Sequence, residues 1–382
     1  MKLLRRGFAL TAAGLVTLIS GCSNDVKVGA VISETGAVAT YGASVKKGID
    51  LALDEINAGG GYKGGSFSVV YKDDATMPDV GARVTRELID DEDVDFIIGA
   101  VSSTVTLSIA PICQEKGVLL LSPSSSAPEI SNAGDYIFRN YPSDVLEGTS
   151  MARFAKDQGF EKVVIFAVDN DFGNGLTDVF TKEYESKFRS IVGVFRFPDT
   201  QESDFGEMIE EAKALSPDGI YIVSYDKGLI GLLNELHASG CPAVIMGTSS
   251  VPENVAQLAG GAAEKLVFPK PGFDLESNDP AVVNFIAAYR SKYGSDPDSY
   301  AAHGYDALKL ILDAIEVAES THPMNVKVGM TSIKEYKGAA GITAFDKNGD
   351  VVRYPRLFVI HKGKTVPYEQ FREEGLTLAR SG

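Results

Sequence analysis

The sequence predicts an α/β protein whose parallel sheets are covered by helices on both faces and arranged in two similar lobes. Short apolar runs without alternation, such as Phe96-Ile-Ile-Gly99 and Val118-Leu-Leu-Leu121, recur between segments of helical periodicity. A strand apolar at every position belongs to a sheet buried on both faces, and strands that alternate with helices pair in parallel. A second observation is internal. Residues 96–126 run strand, Ser/Thr loop, helix, Lys-Gly, strand, Ser-rich loop; residues 220–250 run strand, Tyr-Asp-Lys loop, helix, Ser-Gly, strand, Thr-Ser-Ser loop. Two copies of one βαβ design in a chain of 382 residues fit two domains better than one.

Residues 1–21 precede the fold. Lys2, Arg5 and Arg6 form a basic start, followed by an apolar stretch at 8–19 that is shorter than the ~20 residues a bilayer crossing requires. It closes on Ile19-Ser20-Gly21-Cys22, which resembles a bacterial lipoprotein box. Cys22 is therefore the expected lipid attachment site and the first residue of the mature protein. Each buried methylene of a lipid contributes ~0.8 kcal/mol, so two or three chains hold a domain at a membrane surface. The rest is expected outside the cytoplasm, periplasmic or on the cell surface.

Residues 26–32 read as the first buried strand. Val45, Ile49, Ala52, Leu53 and Ile56 share one helical face, and Asn57-Ala-Gly-Gly-Gly61 ends that helix. Residues 66–71 form the second strand, 80–89 a helix, 96–99 the third strand, 109–116 a helix and 118–121 the fourth strand. The same grammar resumes with strands at 162–167, 191–197, 219–223 and 243–246.

Charge and composition exclude several functions. The chain carries 36 basic and 52 acidic side chains, a net charge of −16. Nucleic acid and anionic lipid both call for basic patches, so neither is an expected partner. Beyond Cys22, Cys113 and Cys241 fall in different halves of the architecture and read as buried free thiols. His237, His303, His322 and His361 lie scattered without metal-ligand spacing, so no metal is expected. Gly59-x-Gly61-x-x-Gly64 follows a helix and precedes a strand, the reverse of a dinucleotide site. Asp346-Lys-Asn-Gly-Asp350 has Val351 and Leu357 where a calcium loop needs glycine and glutamate, and reads as an Asn-Gly hairpin turn. Ser44-x-x-Lys47 stands at the start of a helix without partner motifs. No nucleophile is placed with a base and no cofactor motif survives, which argues against an enzyme.

In open α/β sheets ligands collect at the carboxyl ends of strands, where helix N-termini present free N–H groups. Ser102-Ser103-Thr104, Ser124-Ser125-Ser126 and Thr248-Ser249-Ser250 all stand at such ends. Serine is also a common helix cap, yet the same chemistry at strand ends of both lobes points to a binding cleft.

The chain resembles the periplasmic solute-binding proteins of the Leu/Ile/Val type, receptors of ABC importers. The resemblance rests on 32–42 (Ile-Ser-Glu-Thr-Gly-Ala-Val-Ala-Thr-Tyr-Gly), Asp54-Glu-Ile-Asn-Ala-Gly-Gly-Gly61, Tyr71-Lys-Asp-Asp74, Ile98-Gly-Ala-Val-Ser-Ser103, Ser122-Pro-Ser-Ser-Ser-Ala-Pro-Glu129, Asp171-Phe-Gly-x-Gly175 and 300–307. It implies a type 1 periplasmic binding protein fold, two Rossmann-like lobes joined by three crossovers near Tyr141, Pro269 and Thr343. The lobes would then comprise 22–141 and 270–342, and 142–269 and 343–382, with a hairpin at 345–361 finishing the second. By the same resemblance Ser103 holds a ligand carboxylate, Ser124 and Ser126 an ammonium, and Tyr41, Phe172 and Tyr225 cover the ligand. The resemblance places a carboxylate for the ammonium at a position that is Ser249 here. Either Asp226, Asp171 or Glu253 reaches in, or the ligand has no ammonium group. A branched-chain or other amino acid is the expected ligand and an inner-membrane permease the expected partner. A receptor for a non-amino carboxylate or amide, or a sensor feeding a signalling partner, remains open.

Overall fold

The structure, a computed structural model, describes residues 24–200 and 202–378; Cys22 lies outside the described residues. The first part alternates β1 (Val26–Ile32), α1 (Ala39–Ala58), β2 (Phe67–Asp73), α2 (Pro78–Asp90), β3 (Phe96–Gly99), α3 (Ser103–Lys116), β4 (Leu119–Ser122) and β5 (Ile137–Arg139). These strands form a five-stranded sheet in the order β2-β1-β3-β4-β5, parallel throughout. The chain then crosses to α4 (Asp144–Asp157), β6 (Lys162–Val168), α5 (Asp171–Tyr184), β7 (Ser190–Phe197), α6 (Gly206–Ala214), β8 (Gly219–Val223), α7 (Asp226–Ala238), β9 (Val244–Met246), α8 (Val255–Leu258) and β10 (Val267–Lys270). It returns through α9 (Pro280–Tyr293), α10 (Ser299–Ala318), α11 (Pro323–Ser332) and the small pair β11 (Tyr336–Gly338) and β12 (Gly341–Thr343). The end of the chain supplies β13 (Arg356–His361), β14 (Lys364–Pro367) and α12 (Tyr368–Glu373). The second sheet runs β14-β13-β10-β9-β8-β6-β7, its last hairpin antiparallel to the rest.

Burial explains the strand pattern. β3, β4 and β8 are buried at every position, as strands with helices on both faces must be. Each large aliphatic side chain removed from water there contributes about 1.5–3 kcal/mol. The helices that return from the second lobe are fastened to the first by close packing. A Cβ on Gly48 of α1 would lie 2.0 Å from the Ala301 carbonyl oxygen, and one on Gly304 of α10 would lie 2.4 Å from that of Val45. Only glycine lets these two helices approach so closely.

Two elements differ from the sequence expectation. α3 begins at Ser103, earlier than 109, because the serine cluster opens the helix and Pro111 is accommodated within it. The Asp346–Asp350 turn does not pair with the second sheet; that sheet is finished by β13 and β14. Instead the fully buried Arg139 of β5 reaches the turn, its Nε 2.6 Å from Asp350 Oδ1, while the Arg139 N–H donates to the Gly349 carbonyl. A buried guanidinium needs a carboxylate, and Asp350 is the one supplied. Cys113 and Cys241 are buried free thiols, and burial pushes the Cys113 thiol up to about 12.

Candidate functional site

The loops that follow β3 and β4 in one lobe face those that follow β6, β8 and β9 in the other. Between them lies a cavity that receives Tyr41, Ser103, Ser124 and Ser126 from the first lobe and Phe172, Tyr225 and Ser249 from the second. Val101, Tyr141, Ser250 and Tyr300 complete the wall. About 30 Å3 is open to the centre of a water-sized sphere, room for about two or three waters.

Each side chain is fixed by its element. Ser103 is the first residue of α3, and its Oγ accepts from the N–H groups of Ser126 and Ala127, both at 3.2 Å. Those two bonds tie the loop after β4 to the start of α3. The Ser103 hydroxyl proton stays available beside the N-terminus of α3, so donor and helix dipole favour the same negative group. Ser124 donates to the Val101 carbonyl at 2.6 Å. Phe172 stacks on Tyr225 with centroids 5.4 Å apart, and the Tyr225 hydroxyl accepts from Asn170, the side chain that caps α5. Burial pushes the Tyr225 and Tyr141 phenols well above their ordinary range, so both stay protonated and able to donate.

Tyr41 joins the lobes. Its hydroxyl accepts from the Asp226 N–H at 2.7 Å and donates to the Ser250 carbonyl at 3.0 Å. The Asp171 N–H adds a second link, donating to Thr104 Oγ1 at 3.3 Å. Tyr41 also packs on Tyr300 at 4.6 Å, and Tyr300 stacks on Tyr141 at 5.9 Å.

The sequence reading needs correction at Asp226. This residue contributes its backbone N–H to the interlobe contact, while its carboxylate turns back to accept from the Lys227 N–H at the start of α7. Asp171 is likewise spent at the first turn of α5, and Glu253 pairs with Lys270 at 3.2 Å. None of the three lines the cavity. Asp144 and Glu147, in the first turn of α4, do not line it either, but each contacts a residue that does, Ser126 and Ser249. Both are buried, and Glu147 Oε1 accepts from the Ser249 N–H at 3.1 Å. An acidic first turn reads from sequence as compensation of the helix dipole, which is why they went unnoticed. Tyr141 and Tyr300 were missed for another reason: they come from a crossover and from α10, segments remote from the strand ends. The Ser44-x-x-Lys47 motif is structural, Ser44 donating to Asp298 at the N-cap of α10.

Residues 25–364 match the family described as periplasmic binding protein. The chain belongs to the periplasmic binding protein family. A Pseudomonas aeruginosa relative, named leucine-, isoleucine-, valine-, threonine-, and alanine-binding protein, is 26% identical over 367 residues, which cover 95% of this chain and 97% of that one. Among solved structures, the leucine binding protein LivK of Thermotoga maritima is similar with a TM-score of 0.84 at 28% identity, over 90% of this chain and 97% of that one. The branched-chain amino acid transporter substrate binding protein LivJ of Streptococcus pneumoniae, in complex with isoleucine, gives a TM-score of 0.81 at 27% identity, over 89% and 97%. This periplasmic binding protein is a solute receptor that works outside the cytoplasm, and not an enzyme.

Proposed function

We propose that this periplasmic binding protein is the receptor of an ABC importer, that it closes its lobes around an amino acid, and that a lipid on Cys22 holds it at the membrane. The observation that supports the reading best is the cavity walled by both lobes, with serine hydroxyls on one side and aromatic rings on the other. A ligand shifts a two-state hinge only through differential affinity, so it has to touch both lobes. Hydroxyl donors beside the N-terminus of α3 suit a carboxylate. The relatives supply the ligand class: isoleucine is bound in the S. pneumoniae structure, and the P. aeruginosa name includes alanine and threonine. A permease in the inner membrane receives the ligand from the closed receptor.

A thermal-shift screen of the common amino acids, short aliphatic acids, amides and urea tests this reading. A ligand at 100 times its Kd adds about 2.7 kcal/mol, which an upward shift in melting temperature reports. A screen in which nothing moves the melt refutes the receptor reading. For the anchor, Cys22→Ala should release the protein from membranes or leave residues 1–21 uncleaved; salt-resistant membrane association of that variant refutes it. Ser249, a hydroxyl rather than a carboxylate, favours a second reading in which the ligand is an acid or amide without an ammonium group.

A further inference from the structure

We propose that Asp144 and Glu147 of α4 supply the negative charge against which a cationic group of the ligand is held. The inference rests on the receptor reading above and decides between its two ligand classes. Asp144 is completely buried, and among the described residues its carboxylate oxygens meet no well-formed hydrogen bond, the Ser126 hydroxyl being the donor in reach. A buried carboxylate so poorly paired is costly, so native structures rarely keep one without a use. It stands behind the cavity wall and does not line the cavity itself: its N–H donates to the Ser126 carbonyl at 2.8 Å, and Ser126 lines the cavity. Glu147, three residues on, lies on the same face of the helix. Its Oε1 holds the backbone of Ser249, which also lines the cavity.

The positive groups in reach are already committed. Arg139 pairs with Asp350 and donates to the Ala127 carbonyl and to Ser131. Lys270 pairs with Glu253 and donates to the Val251 carbonyl. Glu129 adds negative charge near Asp144, and the phenols of Tyr141, Tyr221 and Tyr225 that face the pair are uncharged. The layer behind Ser126 and Ser249 thus carries an excess of carboxylate that a cation in the cavity relieves. Burial, and repulsion from Glu147, push the Asp144 carboxyl well up from its ordinary value; burial does the same to Glu147, against the pull of Ser249 and Lys270. The pair therefore retains a proton that an incoming ammonium group expels. A ligand without a cation gains nothing from either residue.

The test uses the purified full-length protein and matched probes: L-alanine against propionate, L-leucine against 4-methylpentanoate, and acetamide as a neutral amide. Calorimetry of the wild type should show an amino acid binding at least tenfold more tightly than its deaminated partner. Its binding enthalpy should differ between phosphate and Tris buffers as one proton is released. Affinity should rise between about pH 6 and pH 8, because the proton competes with the cation. Asp144→Asn and Glu147→Gln should each weaken the amino acid about thirtyfold or more, abolish the buffer dependence and leave the deaminated partner unchanged. Should Asp144→Asn fail to fold, Glu147→Gln and the wild-type proton release still decide. Amino-acid binding that is insensitive to both substitutions and to buffer overturns this inference while sparing the receptor. Propionate or acetamide binding as tightly as either amino acid does the same. Silence of every probe overturns the receptor reading and this inference with it.

Discussion

Tyr41→Phe removes one oxygen atom and breaks both polar contacts that this residue makes between the lobes. The ring is retained, so its packing on Tyr300 at 4.6 Å and its edge contact with Tyr225 at 6.2 Å survive. What is lost is the acceptor of the Asp226 N–H and the donor to the Ser250 carbonyl. Both groups lie in a buried interface when the lobes are together, and water reaches them when the lobes part. Leaving a buried polar group unpaired costs about 1–3 kcal/mol, so two of them raise the closed state by about 2–6 kcal/mol relative to the open one. Neither lobe loses an internal contact, so unfolding is scarcely affected. Apparent affinity scales with the closed fraction, and the same energy weakens binding by about thirtyfold at the least and about ten-thousandfold at the most. Calorimetry with the amino acid chosen by the thermal-shift screen measures the affinity. Small-angle scattering measures the population, because the variant should keep a larger radius of gyration at ligand concentrations that compact the wild type. A variant that binds within threefold of the wild type and compacts alongside it refutes the latch.

Ser103→Ala should lower both affinity and stability, the second by about 1–3 kcal/mol in urea unfolding, because two N–H groups lose their acceptor; loss of affinity alone contradicts the double role. Gly48→Ala should destabilise the fold by about 3 kcal/mol or more, since its Cβ meets a backbone carbonyl that cannot give way. Gly261→Ala, with nothing near its Cβ, should stay within about 0.5 kcal/mol. Burial lowers the pKa of His303 from 6.5 to about 3, so the unfolded chain takes up a proton that the fold refuses, and stability is lost as pH falls through that range. Asp306, raised by burial to about 7, works in the opposite direction and adds stability as pH falls below 7. His303→Gln should therefore gain stability on the wild type on going from about pH 7 to about pH 4.5, and a constant difference in melting temperature refutes this.

Much of the fold was legible because its signals are local. The unbroken, non-alternating runs of β3, β4 and β8, buried at every position, announce covered parallel sheets, and the serine clusters mark the carboxyl ends where the cavity lies. The site residues read from those ends, Ser103, Ser124, Ser126 and Ser249, reach one cavity together with Tyr41, Phe172 and Tyr225. What escaped depends on where the chain goes after it leaves a sheet. Tyr141 and Tyr300 are brought together by the crossover after β5 and by α10, separated by most of the second lobe in sequence. Asp226 was misjudged because a residue type suggests its side chain, whereas here the backbone N–H makes the contact. The Asp346–Asp350 turn misled in the same manner: its Asn-Gly signal identified a turn, but its docking site was chosen by Arg139, a buried charge far away in the chain.

A receptor of this kind must be reluctant to close on nothing, and the placement of its charges gives it a physical reason. The first lobe presents hydroxyls already tied into its own loops, Ser124 donating to the Val101 carbonyl and Ser103 accepting from two N–H groups, so it loses little when it is covered. Asp144 is different, because with the lobes together it is completely buried with the Ser126 hydroxyl as its donor in reach, and an unpaired charge there is costly. That cost opposes closure until a cation arrives, while the Tyr41 hydroxyl and its two backbone partners favour it. The two terms are of similar size, a few kcal/mol each, and they oppose one another across the same gap. A ligand that supplies the cation removes the opposing term and leaves the latch. The population then shifts by the whole of the relieved energy, so a modest electrostatic contact becomes a switch between open and closed. Selectivity against uncharged solutes follows from the same arrangement, since they leave the carboxylate dry and unpaired when the lobes meet.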